Sequence, residues 1–194
     1  ADEYFKSKNI FVIPDFLCLA KGLTGGYLPL AATLTTGTIY ERFLGPAGNA
    51  FYYGHSYTAN PLGCAAAIAS LDLFEWENTL DHLGPKIDRL RENLKTLKTR
   101  HPLIHEIRQC GFVAGIELRN PDGTKFPLSD RTGEKICRLA ANHGLLTRSI
   151  LDTIVVMLPL SATFEEIDAT SAAIDGAICD FLRNPGIDNL GTGA

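Results

Sequence analysis

The sequence predicts an α/β piece, a helical connector and then a compact α+β unit, on three observations. Short apolar runs end abruptly at lysine or glycine. Long stretches between them carry apolar residues at three- and four-residue spacing. After Arg100 the pattern changes to short strands set among two further helical stretches.

Taken in order, Phe16-Leu-Cys-Leu-Ala20 is an apolar run stopped by Lys21-Gly22, the pattern of a buried strand reaching a loop. Leu30 to Thr36 is a second strand candidate. Asn60-Pro61 reads as a helix cap followed by proline at the first helical position, and the Ala-rich run after it suits a closely packed helix. Gly84-Pro85 interrupts the helical pattern, after which Ile87, Leu90, Leu94 and Leu97 form one amphipathic stripe. Phe112 to Leu118 and Ile154 to Leu158 read as strands, with Asn120-Pro-Asp-Gly123 as a turn within a hairpin. Glu134 to His143 reads as a short helix. Thr163-Phe-Glu-Glu166 fits a capping box that opens a helix with the stripe Ile167, Ile174, Ile178, Phe181. The expected division is 1–73, the connector 74–100, the α+β unit 101–183 and a tail 184–194, with 101–183 the part better able to fold alone.

Composition narrows the function classes. The chain has 194 residues, 45% apolar and 21% charged, with a net charge of −4. A mildly acidic chain has no electrostatic footprint for nucleic acid or an anionic membrane. The longest nearly apolar run, Gly63 to Leu71, falls well short of a membrane span, and the polar start Ala1 to Asn9 is no signal peptide. The five cysteines (Cys18, Cys64, Cys110, Cys137, Cys179) form no metal-ligand spacing and no disulfide frame. They read as buried free thiols of a cytoplasmic protein, with no metal site.

Four places carry possible chemistry. Lys21 ends an apolar strand, where burial would strip its ammonium of water and free the amine as a nucleophile toward an aldehyde. An ordinary lysine reaching solvent from a strand end is the alternative. Gly25-Gly26 follows the lysine rather than preceding it, so it is no phosphate-loop motif and reads as a turn. Gly54-His-Ser-Tyr-Thr-Ala-Asn60 sets hydroxyls and backbone amides ahead of a helix N-terminus, which suits an anion such as phosphate or simple capping. Arg148 lies between apolar stretches and needs a partner, either a substrate carboxylate or an internal Asp or Glu.

In combination, Lys21-Gly-Leu-Thr-Gly-Gly-Tyr-Leu-Pro-Leu30, Gly54-His-Ser-Tyr-Thr-Ala-Asn-Pro-Leu-Gly-Cys-Ala-Ala-Ala67 and Gly144-Leu-Leu-Thr-Arg148 resemble the class III aminotransferases, over the C-terminal half of the family. The resemblance implies fold type I of the pyridoxal-phosphate transferases: the end of the large domain plus the small α+β domain. It implies pyridoxal 5'-phosphate as cofactor, with Lys21 as the lysine that bonds it and moves a proton on the substrate. It further implies Ser56 as a phosphate ligand reaching across a homodimer, and Gly54 and Arg148 as substrate-binding residues. Tyr53 stands where many members have histidine.

The likeness is strongest to the biotin-synthesis branch, which implies amine transfer from S-adenosylmethionine to 8-amino-7-oxononanoate. Another class III activity on ornithine-like or ω-amino substrates is the alternative, as is a non-catalytic or complementing subunit. The family's phosphate-binding Gly-Ser turn and the aspartate at the pyridine nitrogen have no match here, Asp2-Glu3 included. The isolated chain is therefore expected to be inactive, and its strands to have unpaired edges.

Overall fold

The computed structural model describes residues 14–184, so Asp2-Glu3 and all of the tail but Asn184 lie outside the described residues. The chain divides after Thr79 into two compact units.

In the first unit, β1 (Phe16–Leu19) and β2 (Ala32–Thr35) form a two-stranded antiparallel sheet, with Phe16 opposite Thr35 and Leu19 opposite Ala32. The link between them begins as a single 3-10 turn, Lys21–Thr24. Two short helical pieces follow, α1 (Gly37–Glu41) and a 3-10 turn at Ala47–Asn49, then the long helix α2 (Pro61–Trp76). The Asn60 side chain accepts a hydrogen bond from the Leu62 N–H at 3.0 Å, and Pro61 is the first helical residue, as the sequence predicts. A Cβ on Gly63 would lie 3.5 Å from the Leu30 side chain, which marks where α2 passes closest to the loop after β1.

The expectation of a buried strand at Phe16 to Ala20 is not met. Every residue of β1 is exposed, Phe16 at 57% and Leu17 at 47%. Two strands and one long helix cannot cover both faces of a sheet, so an apolar run that suits burial stays open. Helix α2 shows the same thing: only Gly63 and Ala67 are buried, while Leu62, Ile68, Leu71 and Trp76 are exposed. A helix apolar all round is built to be enclosed.

The second unit holds the core. Its sheet runs β3-β4-β6-β5, all antiparallel, from β3 (Ile104–Cys110), β4 (Val113–Leu118), β5 (Arg148–Ile150) and β6 (Thr153–Met157). Alternate residues of β4 and β6, namely Ala114, Ile116, Leu118, Ile154 and Val156, enter the core. Helices α3 (Thr79–Arg100), α4 (Thr132–Asn142) and α5 (Phe164–Arg183) supply most of the remaining apolar side chains, including Leu90, Leu94, Ile136, Ile167 and Ile174. Thr163 and Glu166 form the expected capping box at the start of α5. Two polar ties join α3 to α5: Arg89 forks onto Asp168 at 2.6 and 2.7 Å, and Asp175 accepts from Arg100 and His101 at 2.6 Å each.

Three element readings are corrected. Helix α3 runs unbroken through Pro85. The proline removes the bond to the Asp81 carbonyl, and both residues are exposed, so that carbonyl is open to solvent rather than buried without a donor. The Asn120–Gly123 turn forms, with the Gly123 N–H donating to the Asn120 carbonyl at 2.8 Å, but it leads out of the sheet. The hairpin lies earlier, where β3 meets β4 at Gly111 with φ +57°. Strand β3 escapes a sequence reading because its residues are largely charged or polar and half-exposed, as befits an edge. The third correction concerns the thiols. Of the cysteines only Cys137 is buried; Cys18 and Cys110 are exposed, and Cys64 and Cys179 half-buried. Burial, reinforced by nearby Glu134, pushes the Cys137 thiol up to about 11, which makes it inert.

Among the described residues, no helix is long and apolar enough to cross a membrane.

Candidate active site

Lys21 sits at the turn out of β1 with φ +53°, a left-handed conformation that costs a non-glycine residue energy. The turn around it is tightly tied. The Leu23 N–H donates to the Ala20 carbonyl at 3.2 Å and the Gly25 N–H to the Gly22 carbonyl at 2.9 Å. Buried Thr24 closes it from inside, its hydroxyl donating to the Leu28 carbonyl at 2.5 Å. Gly25 and Gly26, at φ +62° and +84°, supply the left-handed conformations of this turn.

Lys21 is exposed, so the burial expected from the sequence is not supplied by this unit. Its side chain nevertheless makes no hydrogen bond or ion pair among the described residues. A strained backbone thus presents an uncommitted primary amine.

The segment 54–60 is a second turn of the same unit, immediately before α2. The His55 N–H donates to the Thr58 hydroxyl at 3.0 Å, the Thr58 N–H donates to the His55 carbonyl at 2.9 Å, and the Tyr57 N–H donates to His55 Nδ1 at 3.2 Å. Ala59, at φ +55°, turns the chain into the Asn60 cap. Ser56 stands inside this frame with neither its hydroxyl nor its N–H bonded among the described residues. Gly54 is exposed, and a Cβ there would meet the Thr58 hydroxyl at 3.7 Å, an ordinary contact. Tyr53 is exposed and lies against Phe51, ring centroids 5.8 Å apart.

Arg148 belongs to the second unit. It opens β5, opposite Val155 of β6, and its guanidinium is exposed. Of the two partners the sequence leaves open, no internal carboxylate pairs with Arg148 among the described residues. Glu134, which lines the same cavity of about 400 Å³ with Leu146 and Thr147, is instead held by Arg131 and Arg138. Exposure also removes the desolvation cost that made a partner obligatory.

The sequence missed the strained Ala59 and the linked roles of His55 and Thr58. Nothing in an alanine announces a positive φ. A histidine three residues before a threonine, just ahead of an Asn-Pro cap, is a signal only in hindsight.

The chain is similar to known proteins over most of its length. The family model for class-III aminotransferases matches residues 3–178. The chain is 45% identical over 172 residues to the adenosylmethionine-8-amino-7-oxononanoate aminotransferase of Aquifex aeolicus, covering 86% of this chain and 38% of that one. The crystal structure of the enzyme of that name from Methanocaldococcus jannaschii superposes with a TM-score of 0.82 at 40% identity, covering 92% of this chain and 41% of that one. An amine transaminase from an uncultivated Pseudomonas species, solved with its cofactor bound, superposes with a TM-score of 0.81 at 28% identity, covering 90% of this chain and 40% of that one. The chain thus spans about two fifths of the length of these relatives.

Proposed function

From the premise that this chain belongs to the class III aminotransferase family, with the fold of the type I pyridoxal-phosphate enzymes, we propose that it is the C-terminal part of an enzyme that transfers an amino group from S-adenosylmethionine to 8-amino-7-oxononanoate. The observation that carries the aminotransferase reading is Lys21, a strained residue with an uncommitted amine at the end of β1. The substrate assignment rests on sequence. Relatives bearing that enzyme's name are 36–46% identical, whereas amine and ω-transaminases superpose equally well at 25–28%.

The residues present fit pyridoxal 5'-phosphate by the chemistry of their donors: a primary amine for an aldehyde, and a hydroxyl with an adjacent N–H for a phosphate. When bound, that cofactor supplies a carbonyl that captures amines and a ring that draws electrons from the carbon beside the captured nitrogen. Lys21 supplies the amine that holds the cofactor and, once displaced by substrate, carries a proton on Nζ between the two carbons concerned. Ser56 donates to the phosphate, in this reading across a homodimer. Arg148 presents a planar fork to the substrate carboxylate and so sets the direction in which substrate lies.

The test replaces the matching segment of a class III relative with residues 14–184 and measures amine transfer to 8-amino-7-oxononanoate. S-adenosylmethionine should serve as donor, and ornithine or ω-amino acids should not. Turnover with the latter alone would move the chain to the other branch of the family.

A further inference from the structure

We propose that His55 and Thr58 are positioning residues that hold the Ser56 hydroxyl and amide open toward a phosphate group. The inference rests on the reading of Ser56 as a ligand of the cofactor phosphate.

Three hydrogen bonds link residues 55–58, and all three run through His55, while the Asn60 N–H donates to the Tyr57 carbonyl at 3.2 Å. Its N–H donates to Thr58 Oγ1 (3.0 Å), its carbonyl accepts from the Thr58 N–H (2.9 Å), and its Nδ1 accepts from the Tyr57 N–H (3.2 Å). Each bond engages groups of His55, Tyr57 and Thr58 with one another and not with Ser56. What is left on Ser56 is its hydroxyl, its N–H and its carbonyl, none with a partner among the described residues and the first two able to donate.

The division of labour between the two small hydroxyls follows. Thr58 Oγ1 is fixed as the acceptor of the His55 N–H, whereas Ser56 Oγ is uncommitted. An arriving phosphate oxygen then meets two donors on one residue, of which the N–H is held in place by the bonded turn. Bonds to an ionised acceptor are the strong ones, and donors that need no reordering keep most of that strength. His55 takes part through Nδ1 as an acceptor, so its ring proton sits on Nε2.

The experiment compares the affinity of the full chain for pyridoxal phosphate and for pyridoxal, which lacks the phosphate, by spectral titration. The preference for the phosphorylated form is the readout. Ser56→Ala should lower that preference on the order of 10-fold, the worth of one lost bond to a charged group. Thr58→Val and His55→Leu should lower it to a similar extent without touching the phosphate themselves. Thr58→Ser should restore it. His55→Asn should also restore it, because an asparagine oxygen accepts from the N–H two residues on, as Nδ1 does here. Affinity for pyridoxal should stay constant through the series.

Retained preference in Thr58→Val and His55→Leu, beside its loss in Ser56→Ala, would overturn the positioning role and leave the Ser56 reading intact. No preference in the parent chain, or full preference in Ser56→Ala, would overturn the Ser56 reading and this inference with it. Loss of pyridoxal affinity in step with that for the phosphate form would show a collapsed loop and overturn the positioning role as well.

Discussion

Arg148 is where charge and geometry make the sharpest claim about a single residue. Its guanidinium is exposed beside a cavity and pairs with no carboxylate among the described residues, Glu134 being held by Arg131 and Arg138. Lysine would keep the charge but lose the two parallel bonds of the fork. In the grafted enzyme, Arg148→Lys should weaken binding of the amino-oxononanoate by about 1–3 kcal/mol, seen as a raised KM. Unchanged KM would remove the carboxylate role. Lys21 and Arg148 were both legible as unusual residues from their apolar neighbours, yet both are exposed. Neighbours in sequence reported the apolar setting correctly but could not say whether this part of the chain covers it.

At the scale of elements, two positions in the second unit test why its helices start where they do. Thr163 accepts from the Glu166 N–H at 3.2 Å while Glu166 accepts from the Thr163 N–H at 2.8 Å. Thr163→Ala should cost about 1 kcal/mol in denaturant unfolding. Gly133, in the first turn of α4, donates its N–H to Asp152 at 3.0 Å, and a Cβ there would lie 2.9 Å from the Asp152 Cα and closer still to the Leu151 carbonyl. Backbone cannot step aside as a side chain can. Gly133→Ala should therefore cost on the order of 1–3 kcal/mol, more than the lost cap, and an equal or smaller effect would contradict this packing. The capping box, the Asn60 cap and the stripes of α3 and α5 were all written in local sequence, because caps and periodicity are local physics. The edge strands β3 and β5 were not: each pairs with its neighbour in sequence across a two-residue turn, but the one is largely polar and exposed and the other only three residues long, so neither carries an apolar pattern.

Over the whole molecule, the two units differ in what holds them. The buried core lies almost entirely in the second, while the first exposes most of its aromatic and aliphatic side chains, Trp76 at 76% among them. Fold class and the order of the long helices could be read from the sequence; the openness of the first unit could not, because apolar patterns imply a cover without naming it.

The charge ties of the second unit give a pH dependence with a definite sign. Arg108 and Arg119 hold the Glu117 carboxyl down to about 2, and Arg89 with Asn93 holds Asp168 down to about 2. In the unfolded chain both titrate near 4, so between about pH 4 and 2 the unfolded state binds more protons. Stability should be flat above the upper limit and fall as pH drops through that window. Both groups are solvent-facing, so the slope is shallow and screened by salt. Glu117→Gln should flatten part of it, and a stability that rises on acidification would contradict the assignment.

The central claim is that Lys21 holds the cofactor. Pyridoxal phosphate bound to the grafted enzyme can be fixed by borohydride reduction and the modified peptide mapped by mass spectrometry. The pyridoxyl group should be found on Lys21, in the peptide running on through Gly22-Leu-Thr-Gly-Gly26, and should vanish in Lys21→Ala. Labelling of a different lysine, or undiminished labelling in Lys21→Ala, would contradict the account.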